Sequence, residues 1–113
     1  MTAMQNNDDL IIVMTNVPDV MLAKHIAHEL VEIGLAACVN IGAESLSMYM
    51  WQDTMEGASE IPLTIKTVAG RQQAVIDAVV KAHPFDVPEI VVLPVIGSTQ
   101  AYADWVRAQC KQR

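Results

Sequence analysis

The feature that most constrains the fold is a long stretch of two-residue periodicity. Leu46, Met48 and Met50 alternate with Ser45, Ser47, Tyr49 and Trp51, and Ile61, Leu63 and Ile65 alternate with Pro62, Thr64 and Lys66. Successive side chains of a strand point to opposite faces, so each run reads as a strand. The polar stretch Gln52–Ser59 between them turns the chain. The apolar Ala36–Ile41 segment carries the first arm back to Leu35, which predicts one strand from Leu35 to Trp51 and an extended hairpin. Pro62 has no N–H for a central ladder and suits a sheet edge or a bulge.

The flanking segments supply two strands and three helices. Leu10–Thr15 is a short, nearly unbroken apolar run, the pattern of a strand covered on both faces. After the Asn16–Asp19 break, Leu22, Ile26, Leu30 and Ile33 recur at helical spacing, with Asp19 placed to cap the helix and Gly34 to end it. Gly70 precedes a helix over Arg71–Ala82 with Ile76, Val79 and Val80 as its apolar stripe, and Pro84 stops it. Ile90–Leu93 predicts a last strand, and Ser98 or Thr99 caps a final helix in which Tyr102, Trp105 and Val106 share a face. The order β-α-β-β-α-β plus a C-terminal helix is the split βαβ plan, a ferredoxin-like α+β fold. One domain over 10–113 is expected, preceded by a flexible N-terminus over 1–9. In that plan both main helices cover one face of the sheet, so the other face needs a partner.

Composition points the same way. A hydrophobic fraction of 52% with only 4% aromatics is more apolar material than so short a chain readily buries, which predicts a subunit interface. The 7 basic and 13 acidic residues give a net charge of -6, which repels phosphate backbones and anionic headgroups and argues against nucleic acid and membrane partners. No stretch reaches the roughly 20 apolar residues of a membrane span, and Met1–Asp9 lacks the basic start of an export signal. Cys38 and Cys110 have neither the density of a disulfide scaffold nor a C-x-x-C spacing, so a cytoplasmic location is expected.

Several separated segments resemble the CutA, or divalent cation tolerance, family over most of the chain. They are Thr15-Asn16-Val17-Pro18-Asp19, Glu32–Ile41 with its Leu-Ala-Ala-Cys-Val-Asn-Ile run, Tyr49-Met50-Trp51, Glu60–Thr67, His83-Pro84-Phe85 and Pro88-Glu89-Ile90. The resemblance implies a homotrimer in which long hairpins pair between subunits, a likeness to the fold of P-II signalling proteins, and an association with divalent metal ions, copper above all. No cofactor is required by it; copper or another divalent cation is the implied ligand. Two positions depart from the family pattern. Gln52-Asp53-Thr54 stands where a Glu-Gly-Lys turn is usual, and Thr15 stands where some copper-binding members carry Cys, a far better ligand for soft Cu(I).

His83 is the candidate metal ligand, because imidazole suits copper and zinc and the resemblance points to it. Its alternative role is to satisfy carbonyls at the end of a helix. Tyr49, Trp51, Lys66 and Glu89, with His83, are candidates for an intersubunit cleft that takes a small anionic or zwitterionic ligand, or for interface packing. His25, His28, Glu29 and Glu32 read as a solvated helix face, Cys38 as a small buried hydrophobe, and Met48, Met50 and Met55 as packing residues. No G-x-S-x-G, Walker, G-x-G-x-x-G or H-E-x-x-H pattern occurs, so no catalytic residues are assigned and a non-enzymatic role is expected.

Overall fold

The computed structural model describes residues 6–111. Five strands and three helices follow in the order β1 (Leu10–Val17), α1 (Val20–Glu32), β2 (Cys38–Ile41), β3 (Ser45–Trp51), β4 (Thr54–Val68), α2 (Gln72–Ala82), β5 (Ile90–Pro94) and α3 (Gln100–Gln109), with a single 3-10 turn, Ala69–Arg71, before α2. The strands lie in the order β2-β4-β1-β5, all antiparallel, and β3 pairs with the outer half of β4. This is the ferredoxin-like arrangement, lengthened by a hairpin.

The caps form as the sequence predicts. Asp19 Oδ1 accepts the Leu22 amide at 2.8 Å, Thr99 rather than Ser98 caps α3 by accepting the Tyr102 amide at 3.3 Å, and Gly34 takes a positive φ of 78° after α1. The buried helical faces keep Ile26, Leu30, Val79 and Val106 of the predicted stripes and otherwise differ from them. α1 buries Ala23, Ile26 and Leu30 while Ile33 is exposed; α2 buries Val75 and Val79 while Val80 is exposed; α3 buries Ala103 and Val106 while Tyr102 and Trp105 are largely exposed. Small residues join the contact at Ala23, Val75 and Ala103, while Ile33, Val80, Tyr102 and Trp105 lie outside it.

The core lies between the sheet and α1/α2. Ile11, Val13 and Val17 of β1 and Ile61, Leu63 and Ile65 of β4 face it, alternate residues of paired strands. A smaller cluster of Leu10, Ala37, Val68, Ala103, Val106 and Cys110 seats α3 at one end. The side chains of Ile12, Met14 and Asn16 belong to the opposite face, so β1 is covered on one side only, not on both. On that second face Met14, Val91 and Leu93 remain 36–47% exposed. Cys38 pairs with Lys66, which places it on this face, half-buried, and Cys110 is the buried cysteine.

The first hairpin arm is two strands, not one. Ile41 pairs with Leu63 and Ser45 with Glu60, so four steps on one side match three on the other and the extra residue forms a bulge. Pro62 lies opposite that break and its carbonyl accepts the Gly42 amide at 2.9 Å. A side chain at Gly42 would meet the Pro62 ring at 2.7 Å, so glycine is needed there. The turn is also tighter than the eight polar residues suggest. Trp51 pairs with Thr54, leaving only Gln52 and Asp53 as the tip, at φ 49° and 64°. Two positive φ values match the right-handed twist of a hairpin, and these residues adopt them without glycine. The projecting hairpin raises the radius of gyration to 15.0 Å, against about 13 Å for a compact chain of this length.

Asn6–Asp9, the described part of the segment expected to be flexible, is held at several points. The Asn7 carbonyl accepts from Gly70 N at 2.9 Å, that of Asp9 from Ala69 N at 2.8 Å, and that of Asp8 from Arg107 Nε at 2.8 Å.

Candidate functional site

His83 stands at the C-terminal cap of α2, 8% exposed, with both ring nitrogens engaged. Nε2 lies 2.7 Å from the Asn16 carbonyl oxygen, and Nδ1 accepts the Phe85 amide at 3.1 Å. A carbonyl can only accept and an amide N–H only donate, so the ring proton belongs on Nε2. The Phe85 ring packs on the imidazole at 4.8 Å. Asn16, which sequence reasoning passed over, is the hub: its carbonyl takes His83 and its side-chain amide donates to Glu89 Oε2 at 2.9 Å. Buried Thr15 donates to the Glu89 carbonyl at 2.7 Å. The segment from His83 to Ile90 is thereby fastened to the end of β1. The signal for this was the pair of motifs Thr15–Asp19 and His83–Ile90, both legible but without a stated connection.

Lys66 lies elsewhere, four rungs along β4 from the Pro62–Asn16 pair, roughly 13 Å away. With Ile12, Thr67, Val95, Ser98 and Tyr102 it lines a cavity of about 170 Å³ beneath α3 and the loop before it. Tyr49 and Trp51 are at the hairpin tip, 44% and 62% exposed. Tyr49 pairs with Glu56, ten residues from Lys66, or roughly 33 Å along the strand. Within the chain the five candidate residues therefore form three places: His83 with Glu89, Lys66 in its cavity, and the aromatic tip. Tyr49, Trp51 and Lys66 do share a face, because β4 is continuous and Tyr49/Glu56 and Trp51/Thr54 extend the row of Thr64 and Lys66.

His25 and His28 each pair with a glutamate one turn on, His25 Nε2 to Glu29 at 3.5 Å and His28 to Glu32, and all four side chains are more than half exposed. Among the described residues, no group of three His, Cys, Asp or Glu side chains is placed to hold a metal ion. No helix of the described residues is long and apolar enough to cross a membrane.

A ferredoxin-like domain with a protruding hairpin and one bare sheet face defines the class. Residues 11–109 match the family described as CutA1 divalent ion tolerance protein, and the chain belongs to that family. The divalent-cation tolerance protein CutA of Pectobacterium atrosepticum is 35% identical over 91% of this chain and 94% of its own. The Cut A1 structure from Thermus thermophilus superposes with a TM-score of 0.87 at 37% identity, covering 90% of this chain and 99% of that one. A structure from Archaeoglobus fulgidus, described as the periplasmic divalent cation tolerance protein CutA, has a TM-score of 0.87 at 28% identity, covering 90% and 99%. The family is not a known family of enzymes.

Proposed function

We propose that the protein is a homotrimeric, metal-responsive divalent cation tolerance protein of the cytoplasm, without catalytic activity, that binds copper or another divalent cation. The observation that carries the assembly is the bare second face, on which Met14, Val91 and Leu93 are exposed and which runs on into Tyr49 and Trp51 at the tip. Exposed apolar side chains gathered on one face are costly in water and mark a protein interface. The free edges of the hairpin add unpaired backbone groups that a second copy can satisfy. Light scattering after size exclusion is expected to give a mass of three subunits; a monomer at all concentrations overturns the assembly, and a stable dimer overturns its symmetry.

His83 is the metal-responsive position in this reading. Ligating histidines commonly keep their second N–H on a backbone carbonyl, as Nε2 does here with Asn16, which leaves Nδ1 as the nitrogen that turns to a cation by releasing the Phe85 amide. Glu89 is the neighbouring oxygen donor. Because a backbone bond must be given up and Thr15 supplies no thiolate, binding is modest. Calorimetry with Cu(II) on the wild type and His83→Ala tests this, and binding unchanged in the variant removes His83 from the site. Both free cysteines suit a reducing compartment; cell fractionation decides between the cytoplasm and the location described for the Archaeoglobus relative.

The Lys66 cavity favours a second reading, a P-II-like regulator that binds a small anionic molecule. An ammonium group at the edge of an apolar pocket, with Ser98 and Tyr102 nearby, suits a carboxylate or phosphate on a compact apolar body. Metal-independent metabolite binding that is lost in Lys66→Met would favour it over the first.

A further inference from the structure

The cavity beside Lys66 lies where α3 stops covering the second face of the sheet. Leu10 and Val68 pack with Ala103 and Val106 of α3, and the next rung on that face, Ile12–Lys66, is the first beyond this cover. α3 and the loop before it line the gap from above, so floor and roof come from one chain. A neighbouring copy lying on Met14, Val91 and Leu93 would border the cavity without being needed to form it. Lys66 is half-buried there, and the groups around it are uncharged: Ile12 and Cys38 are its cross-strand partners, and Thr64 and Val68 flank it on the same face of β4. Among the described residues the ion pairs are His25–Glu29, His28–Glu32 and Asp104–Arg107, and none includes Lys66. No Asp or Glu lines the cavity. A cation with its stem against apolar surface and no counter-charge, in a chain with 13 acidic and 7 basic residues, favours an anion from outside.

We infer that this cavity binds a small monocarboxylate with an apolar body of one ring or a short branched chain, a ligand class that rests on the reading of the Lys66 cavity as a small-anion site and narrows it. Charge sets the head group. One ammonium balances one negative charge, whereas a phosphate monoester carries about −1.5 to −2 at neutral pH and would bring uncompensated charge against an apolar wall. Tyr102, in the same lining, carries a second hydrogen-bond donor. Volume sets the body. A dry apolar cavity of about 150 Å³ holds benzene. This one is about 170 Å³, with Leu10, Ile11, Ile12, Val95 and Val106 in its lining, and so takes a body of that size. A nucleoside, with base and sugar joined, is too large for it.

The test uses the full chain in its own assembly, with methyl-labelled Ile, Leu and Val. Benzoate and isovalerate are expected to shift the methyl signals of Leu10, Ile12, Val95 and Val106 and to leave that of Val20, beyond the far end of β1, in place. Along propanoate, butanoate and pentanoate the Kd should fall about fourfold per added methylene, as each CH2 is buried, and naphthoate, with a second ring, should bind more weakly than benzoate. Benzyl alcohol, the neutral analogue, should bind the wild type about tenfold or more weakly than benzoate does. Lys66→Met keeps an apolar stem and should weaken benzoate binding about tenfold to a hundredfold, the range for a hydrogen bond to a charged group, while Lys66→Arg, which keeps the charge, should retain more. Benzyl alcohol binding as tightly as benzoate, or benzoate binding unchanged in Lys66→Met, overturns the proposal, as does an affinity that stays flat along the chain-length series. Lys66-dependent binding of inorganic phosphate or AMP without binding of benzoate overturns this ligand class and spares the small-anion reading. Silence of these methyl signals toward every probe overturns both.

Discussion

β4 spends its two halves in different worlds. From Ile61 to Val68 every second side chain is buried against α1 and α2, whereas from Thr54 to Ser59 none is, although both halves sit in antiparallel pairs and point their side chains alternately to the same two sides. Strand geometry decides which side a residue faces; only a second layer decides whether that side is dry. The inner half has its layer within the chain. The outer half leaves Leu46, Met48, Met50, Met55 and Trp51 exposed.

The sharpest break of this contrast is Trp51→Ala. If a neighbouring subunit covers Trp51, the loss is about 3 to 5 kcal/mol, as for a buried aromatic, and both trimer mass and melting temperature fall. If it stays at its 62% exposure in the assembly, the change is within about 0.5 kcal/mol. Light scattering and a thermal melt of the same sample separate these outcomes.

Leu63→Ala and Leu46→Ala compare the halves with one chemistry. Leu63 is fully buried and Leu46 is 67% exposed. Truncating the first should cost about 2 to 5 kcal/mol in denaturant unfolding. Truncating the second should cost under about 1 kcal/mol, as at a surface position; equal losses would mean that the hairpin is as well covered as the core.

The joint between the halves is tested by Gly42→Ala. The new methyl would collide with the Pro62 ring at 2.7 Å, and overpacking of that kind costs about 1 to 3 kcal/mol. A melting temperature equal to wild type would show that the bulge shifts freely.

The smallest effect is expected at the tip, and it is stabilising. Asp53 holds φ at 64° without being glycine, and Asp53→Gly should add about 1 kcal/mol by relieving that left-handed backbone conformation. Destabilisation instead would mean that the Asp53 side chain holds the turn by a contact of its own.

Much of this was legible in local pattern. The alternation of Ile61–Lys66, the caps at Asp19 and Thr99, the stop at Gly34 and the bulge forced near Pro62 are consequences of single residues or of short periods, which act over a few bonds. The two-residue tip was less legible, because eight polar residues can turn or extend equally well until a partner strand sets the register. Helical stripes misled at their margins, where Ala23 and Ala103 are buried while Ile33, Tyr102 and Trp105 are exposed, since which edge of a stripe meets the sheet is a property of two elements together.

The candidate sites divide in the same way. The sequence by itself determined the order of elements, the hairpin, and the residue types able to act: one histidine beside proline and a lysine on a strand. Which of them meet was decided only by the tertiary structure. Pairing β1 with β4 and β5 brought Asn16 against His83 and Glu89, 67 and 73 residues away along the chain, and the register of β3 on β4 put Met48, Met50 and Met55 on one face. Register is a long-range quantity: a slip of one residue would have moved Met55 to the aromatic side, and nothing in a local window distinguishes the two.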